Sequence, residues 1–198
     1  MSESIVVWSA WIAGAYLVGS VPFGYLIGRA RGVDVRTVGS RNIGATNVYR
    51  TVGKGWGLLA FLCDFLKGLL PTLAAIRWSG EVNVPVCVGL ACVVGHTLTV
   101  FMRFRGGKGV ATAFGVFLAL IPYPTLAALA VFVVTVWISH YISLGSILAA
   151  VTLGALAWVF PVTLFVRCVV TCVAVFVIVK HRSNIVRLAK GCENKIYG

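Results

Sequence analysis

The chain has 198 residues, of which 60% are hydrophobic and only 11% are charged. This composition excludes a water-soluble protein that folds around one buried core. The formal net charge of +12 would suit nucleic acid, but the basic residues lie in short connections between apolar runs, so no nucleic acid partner is expected. Each apolar run of about 17 to 25 residues can cross a bilayer as a helix, which predicts an all-α, polytopic integral membrane protein.

Three clusters of basic residues predict the topology. They are Arg29–Lys54, Arg103–Lys108 and Lys180–Lys195, which together hold 14 of the 17 Lys and Arg residues. The positive-inside bias places all three on the cytoplasmic side, so an even number of spans separates each cluster from the next. Residues 55–101 have the length for two spans, and residues 110–179 have the length for four.

The first apolar run, Ile5–Gly28, has no basic region before it and is therefore predicted to be a span rather than a cleaved signal peptide. It completes a prediction of seven transmembrane helices, with the N-terminus outside and the C-terminus cytoplasmic. Because every connection is too short for a separate soluble domain, residues 1–198 are predicted to form a single transmembrane domain.

Proline and glycine predict where the later helices turn. Pro122–Pro124 and Pro161 are expected to mark outward turns, and Ser143–Ser146 an inward turn. The run Val110–Ile121 would be a helix of only about 18 Å, too short to cross unless its start is sunk into the protein. Such a recessed helix start would be an anion site.

The segment Arg103–Thr112 reads RFRGGKGVAT and places a glycine-flanked lysine before that helix start. Glycines let backbone N–H groups approach a phosphate, the lysine neutralises it, and the helix N-terminus adds its positive end. The spacing differs from that of a nucleotide P-loop, and the alternative is a basic loop that serves only as a topology signal. The candidate phosphate ligands are Gly106, Gly107, Lys108, Gly109 and Thr112.

The first cytoplasmic connection carries donors suited to phosphate and hydroxyl groups. They are Ser40, Asn42, Thr46, Asn47 and Arg50. An ordinary turn-rich connection is the alternative.

The C-terminal segment begins with His181, Arg182 and Asn184. A purely interfacial basic anchor would explain its cations but not the His-Arg-x-Asn grouping. The hydroxyls of Ser143 and Ser146, at the predicted inward turn, are expected to face the same side. All these polar segments thus lie on one membrane face, which predicts a single cytoplasmic site for one or two anionic ligands.

Asp64 and Lys67 lie inside the second span, three residues apart, where they can pair on one helical face. Ionisable groups at membrane depth are functional candidates, but a structural ion pair explains them equally well. His96, in the third span, is better explained by helix packing. The six cysteines show no framework spacing, so neither a disulfide nor a metal site is expected, and no cofactor is expected.

Five segments follow one another along the chain: GSRNIGATNVYR, DFLKGLLP, GHTLTVFMRFRGGKGVAT, YISLGS and KHRSNIVRLAKGCENK. In this order they resemble the PlsY family, the bacterial membrane glycerol-3-phosphate acyltransferases that use acyl phosphate as donor. The resemblance runs from about Ser20 to Lys195. It implies transfer of a fatty acyl group to glycerol 3-phosphate, giving lysophosphatidic acid and phosphate, the first step of phospholipid synthesis. Where the family pattern has glycine, this chain has Arg41, which bears on the backbone of the first connection.

The resemblance also implies roles for individual residues. Lys108, Arg50 and Arg182 would hold phosphates, and His181 would assist by hydrogen bonding. The implied catalytic residues are Ser40, Lys108, His181 and Asn184. The implied substrate-binding residues are Asn42, Thr46, Asn47, Arg50, Gly106, Gly107, Gly109, Thr112, Ser143, Ser146, Arg182, Arg187 and Glu193.

The implied reaction needs little covalent chemistry from the protein. Acyl phosphate is a mixed anhydride with a good leaving group, so the enzyme must chiefly align the attacking hydroxyl and neutralise charge. A phosphate oxygen of the donor can itself accept the proton. His96, His140 and His181 have no aspartate five positions on, so the HxxxxD pair of acyl-CoA acyltransferases is not expected.

A transporter for a small anion such as phosphate is the main alternative, but it would predict internal repeats and more polar groups at the membrane midplane. A membrane anchor that binds anionic lipid is a third reading. The expected location is the bacterial cytoplasmic (inner) membrane, with the active site on the cytoplasmic face. The expected partners are the two substrates, membrane lipid and the enzyme that supplies acyl phosphate; the oligomeric state is not predicted.

Overall fold

The computed structural model describes residues 2–196, and every regular element in this range is a helix. A helix satisfies its backbone N–H and C=O groups within its own segment, which suits a chain this apolar. The α-helices are α1 (Ser2–Ser20), α2 (Phe23–Ala30), α3 (Ala45–Thr51), α4 (Lys54–Trp78), α5 (Val84–Thr97), α6 (Val110–Leu120), α7 (Pro122–Ser139), α8 (Ile142–Val159), α9 (Leu164–Lys180) and α10 (Arg182–Ala189), with a short 3₁₀ helix at Val100–Met102.

Five stretches of the described chain are long and apolar enough to cross a membrane. They are Ile5–Ala30, which contains α1 and α2, Lys54–Trp78, Val84–Met102, Pro122–Ser139 and Ile142–Val159. Together, α9 and α10 would supply a sixth span, bent by 55°. The chain is therefore an all-helical, polytopic membrane protein, as the composition predicts.

The helix α6 is the short member of the series, with 11 residues. At 1.5 Å per residue it is about 16 Å long, which is well short of the hydrocarbon core of a bilayer. Helices thus occupy all seven positions where the sequence predicts spans, and five or six of them have the length and hydropathy of a span.

The chain divides into two compact units, Met1–Leu120 and Ile121–Gly198. In the first unit, α1 packs on α5, and α4 packs on α6. Both crossings depend on glycine: a methyl group at Gly19 would overlap the backbone of Cys92, and one at Gly115 would overlap the backbone of Phe65. Small residues let membrane helices pack backbone to backbone in this way.

In the second unit, α7 packs on α8, and α8 packs on α9. The prediction of a turn at Ser143–Ser146 is wrong, because α8 already begins at Ile142. The helix α7 ends at Ser139, and the next residue, His140, has a left-handed φ of 62°. Gly145 serves close packing instead of a turn, since a methyl group there would crowd the Val136 side chain of α7.

The prediction for Pro122–Pro124 also needs correction. These prolines lie in the first turn of α7, where proline is favoured because its missing N–H would have no partner in the helix. The non-helical residue is Ile121. Pro161 does lie in a connection, between the end of α8 and the start of α9.

Candidate active site

The first connection is organised around the Asn47 side chain, which is only 1% exposed. Its Oδ1 accepts a hydrogen bond from the Ser40 backbone N–H at 2.9 Å. Its Nδ2 donates to the carbonyl oxygens of Val35 at 2.8 Å and Val38 at 3.2 Å. One amide thus fixes the backbone of the connection and leaves Ser40 at an exposed bend.

The second half of this connection is helical, which the motif GSRNIGATNVYR did not indicate. Asn42 Oδ1 accepts a hydrogen bond from the Gly44 N–H at 2.8 Å, just before α3 begins. Val48 of α3 is fully buried in a cluster with Val35 and Ile43. Packing of this apolar face stabilises a helix of only seven residues, which is too short to be stable alone. The half-buried residues Thr46 and Arg50 are therefore carried on a helix.

Arg41 adopts a left-handed backbone conformation with φ 56°. Glycine adopts this conformation without the steric cost that a side chain brings. Position 41 therefore has a backbone conformation that suits the glycine of the family pattern, although the residue here is arginine.

The GGKG loop, residues 106–109, is docked on the end of α5. Gly106 N–H donates to the Thr97 carbonyl and Gly107 N–H donates to the His96 carbonyl, both at 3.1 Å. These N–H groups were predicted to face a phosphate. They instead donate to carbonyls at the end of α5, which have no partners within the helix. Gly109 has a left-handed φ of 84°. The half-buried Lys108 lies between these fixed points.

Thr112 is also used within the protein. Its hydroxyl donates to the Asp64 carbonyl oxygen at 2.9 Å, and the residue is fully buried between α6 and α4. This hydroxyl was predicted to donate to a phosphate. A hydroxyl has one proton to donate, so in this geometry Thr112 holds α6 on α4.

A cavity of about 750 Å³ opens between the first connection and residues 101–106, which lead into the GGKG loop, all within the Met1–Leu120 unit. One of its arginines, Arg36, is paired with Asp34, Nη2 to Oδ2 at 2.6 Å, and hydrogen bonds from Arg36 lower the pKa of Asp34 to about 2. Because Arg41, Arg103 and Arg105 also line it, the cavity is cationic and suited to an anionic group. It is lined by Arg36, Arg41, Ile43, Phe101, Met102, Arg103, Arg105 and Gly106.

In the second unit, the Glu193 carboxylate collects three donors. Oε1 accepts from Ser143 Oγ at 3.0 Å and from Asn184 Nδ2 at 2.7 Å, and Oε2 pairs with Arg187 Nε at 2.6 Å. Glu193 is 7% exposed, so the three bonds compensate the loss of hydration of its charge. The carboxylate ties α10 to the start of α8.

His181 and Ser146 are buried in the same unit. His181 Nδ1 lies 2.7 Å from the Val177 carbonyl oxygen. A carbonyl only accepts, so Nδ1 carries a proton, and in the neutral form of the ring Nε2 is the acceptor atom. Ser146 Oγ donates to the Ile142 carbonyl at 2.9 Å. Arg182, by contrast, is exposed.

The pKa of Glu193 gives a pH-dependent prediction. Burial raises this pKa, but hydrogen bonds from Asn184, Arg187 and Ser143 outweigh burial and hold the pKa below its ordinary value. Because the folded-state pKa is the lower one, the carboxylate stabilises the fold above the unfolded-state pKa, and this contribution is lost as the pH falls through the folded-state value.

We therefore expect Glu193→Gln to lower the free energy of unfolding by about 2 kcal/mol at pH 7. The difference from the wild type should shrink below about pH 4.3, the ordinary glutamate value. Thermal unfolding of the detergent-solubilised protein, at pH 7 and at a pH below about 4.3, measures this difference in stability. The control is Glu81→Gln, at an exposed position. An undiminished gap at acid pH would contradict the assignment.

The sequence motifs point to these segments but do not reveal the hydrogen bonds that hold them in place. They do not identify Asn47 and Glu193 as centres of hydrogen-bond clusters. A buried amide or carboxylate beside several donors is a tertiary feature, and the only hint in sequence is that each residue lies among glycines and polar side chains. The pairing of Asp64 with Lys67 was predicted and is confirmed at 2.7 Å.

Comparison with known proteins places this geometry in one family. Residues 9–191 match the family described as Glycerol-3-phosphate acyltransferase. The protein of that name from Trichlorobacter lovleyi is 51% identical over 185 residues, which cover 93% of this chain and 95% of the relative. The one from Geobacter sulfurreducens is 49% identical over 183 residues, covering 92% and 94%.

Two solved structures are also similar. One is PlsY (YgiH), an integral membrane glycerol 3-phosphate acyltransferase, in its glycerol 3-phosphate form. It matches with a TM-score of 0.92 and 40% identity over 97% of this chain and 96% of that one. The lysophosphatidic acid form matches with a TM-score of 0.88 and 39% identity, over 96% and 95%.

Proposed function

The chain belongs to the glycerol-3-phosphate acyltransferase family, and we propose that it transfers a fatty acyl group from acyl phosphate to glycerol 3-phosphate. The products are lysophosphatidic acid and inorganic phosphate. The observation that carries the proposal is the match over nearly the whole chain to PlsY in its glycerol 3-phosphate and lysophosphatidic acid forms. These matches favour an acyltransferase over the phosphate transporter that basic loops alone would also allow.

The reaction is a single acyl transfer. The glycerol hydroxyl oxygen attacks the acyl carbonyl carbon, the bond from that carbon to the phosphate oxygen breaks, and phosphate leaves with the electron pair. The hydroxyl proton passes to a phosphate oxygen of the donor, so neither a cofactor nor a covalent acyl-enzyme is needed. Catalysis then consists of alignment of the substrates and stabilisation of the departing negative charge.

The side chains divide these tasks in our proposal. Lys108, Arg50 and Arg182 neutralise phosphate groups, and the arginines of the cationic cavity draw anionic substrates towards the GGKG loop. Ser40 and Asn184 orient the hydroxyl and the carbonyl, and Ser146, whose own proton goes to the Ile142 carbonyl, can accept a hydrogen bond from the attacking hydroxyl. Asn47 supports the Ser40 bend through its three hydrogen bonds, and His181 assists through Nε2.

The remaining assigned residues are proposed to shape the substrate pockets. Asn42 and Thr46 position the first connection, and Gly106, Gly107, Gly109 and Thr112 position Lys108. Ser143, Arg187 and Glu193 hold Asn184 in place, as their hydrogen bonds indicate.

We further propose seven membrane crossings, with the N-terminus outside and the C-terminus and active site facing the cytoplasm, in the bacterial inner membrane. Support comes from the seven helices at the predicted positions and from the positive-inside distribution of Lys and Arg. Both units would act as one acyltransferase domain, because the family match at residues 9–191 includes parts of both.

A direct assay tests the function. Purified protein in detergent is given long-chain acyl phosphate and radiolabelled glycerol 3-phosphate, and lysophosphatidic acid is measured after extraction. We expect product with acyl phosphate and none with acyl-CoA. Folded wild-type protein that makes no product, but moves phosphate into liposomes, would replace this proposal with the transporter.

A further inference from the structure

Three ionisable side chains meet in the interior of the Met1–Leu120 unit. Lys67 Nζ lies 2.7 Å from Asp64 Oδ1, and His96 Nδ1 lies 3.5 Å from the same oxygen. Asp64, Lys67 and His96 are only 2%, 5% and 5% exposed. Ionisable groups at this depth are costly and usually have a function, and the acyl transfer described above assigns them none.

The Asp64 carboxylate is held from one side by Lys67. Lys67 Nζ is itself fixed, because it donates to the Val21 carbonyl at 2.8 Å and lies 5.5 Å from the centre of the Phe23 ring. The same carboxylate faces the His96 ring. At 3.5 Å this contact is longer than an ordinary hydrogen bond, so Asp64 orients the imidazole by charge and proximity.

The other edge of the His96 ring rests against the GGKG loop. A methyl group at Gly107 would overlap His96 Nε2, so the ring and the Gly107 backbone are in direct contact. The His96 carbonyl also accepts the Gly107 N–H at 3.1 Å. His96 thus holds the start of the loop by both its ring and its backbone.

The helix that follows the loop, α6, is held by the turn of α4 that carries Asp64. Thr112 Oγ1 donates to the Asp64 carbonyl at 2.9 Å. A methyl group at Gly68 would overlap the Thr112 carbonyl, so α4 and α6 touch at this point. Asp64 therefore supports the segment that carries Lys108 at both ends, at Gly107 through His96 and at Thr112 directly.

We propose that Asp64, Lys67 and His96 form a buried positioning group that sets the place of the GGKG loop, and hence of Lys108, relative to a bound phosphate group. In this role the three side chains act on the substrate only through the loop. This inference rests on the proposed function, because it assigns the group a part in substrate affinity as well as in folding.

The test separates positioning from folding by comparing KM with kcat. Loss of folded protein lowers apparent kcat and leaves KM unchanged, whereas a displaced loop raises KM for acyl phosphate, whose phosphate group lies beside Lys108 in our proposal. The variants are Asp64→Asn, Lys67→Met and the double variant, with thermal unfolding measured beside the kinetics.

Each single variant leaves a buried charge unpaired and should lower the unfolding midpoint. The double variant removes both charges together, which is often neutral for stability, so its midpoint should recover. Its KM should stay raised by about tenfold, because a neutral side chain at position 64 no longer orients His96. A double variant with wild-type KM and kcat would overturn the proposal.

A second variant keeps the test decisive if the double variant does not fold. His96→Leu leaves the Asp64–Lys67 pair intact and should also raise KM by about tenfold, and wild-type KM in this variant would overturn the proposal. The matched control is Thr72→Val. Thr72 is buried on α4, and in the described structure its hydroxyl bonds only within its own helix. The KM of this control should stay within about twofold of the wild-type value. Wild-type protein without product would instead count against the proposed function.

Discussion

Replacing Lys108 with alanine should reduce kcat/KM by about 10³-fold while the protein stays folded. The loop that carries Lys108 is fixed by backbone hydrogen bonds of Gly106 and Gly107, which the substitution leaves in place. What is lost is a cation beside the departing phosphate, and removal of one such stabilising group costs up to about 10³-fold in other enzymes. Lysophosphatidic acid synthesis from acyl phosphate and glycerol 3-phosphate measures the effect.

The control for this prediction is Lys54→Ala. Lys54 is an exposed lysine in the first turn of α4, in the same unit. Its substitution therefore removes the same charge and the same side chain, but outside the GGKG loop. We expect its activity to remain close to that of the wild type. Equal losses in the two variants would reduce Lys108 to a contributor to general surface charge, and full activity of Lys108→Ala would remove it from the site.

Replacing Gly106 with alanine should lower activity by about 10²-fold through displacement of the loop. A methyl group at this position would overlap the His96 carbonyl oxygen and crowd the Thr97 carbonyl carbon. Both are backbone atoms at the end of a packed helix, so the loop has to move instead. The measurement is kcat/KM in the same assay, with the unfolding midpoint as a check on the fold.

Gly55→Ala is the matched control, since it makes the same change in the first turn of α4. A methyl group there meets nothing within 4 Å, and alanine is the better helix former. We expect unchanged activity and an unchanged or slightly higher unfolding midpoint. If Gly106→Ala were as active as Gly55→Ala, the close docking of the loop on α5 would not matter for catalysis.

Sequence alone predicted the all-helical membrane class, because long apolar runs and basic clusters report directly on a bilayer, and five or six of the seven predicted spans have the length and hydropathy of a span. The pairing of Asp64 with Lys67 was also predictable, since helical spacing puts the two on one face. The turn at Ser143–Ser146 was misplaced because glycine and serine mark helix packing in membranes as well as turns. Gly145 has the packing role here.

The contacts of the candidate residues were not predictable from the sequence. The N–H groups of Gly106 and Gly107 face carbonyls of α5, a helix that ends several residues earlier in the chain. Glu193 reaches Ser143, fifty positions away. Such partners depend on how distant segments pack, and a local motif gives no account of them.

The amide of Asn47 has a chemical consequence for the lifetime of the enzyme. Slow hydrolysis of this amide to a carboxylate during storage or ageing would exchange its two N–H donors for an anionic oxygen facing the carbonyls of Val35 and Val38. Two attractive contacts would become repulsive, at a site with almost no access to water. A mass increase of a single dalton would then be enough to undo the bend that presents Ser40.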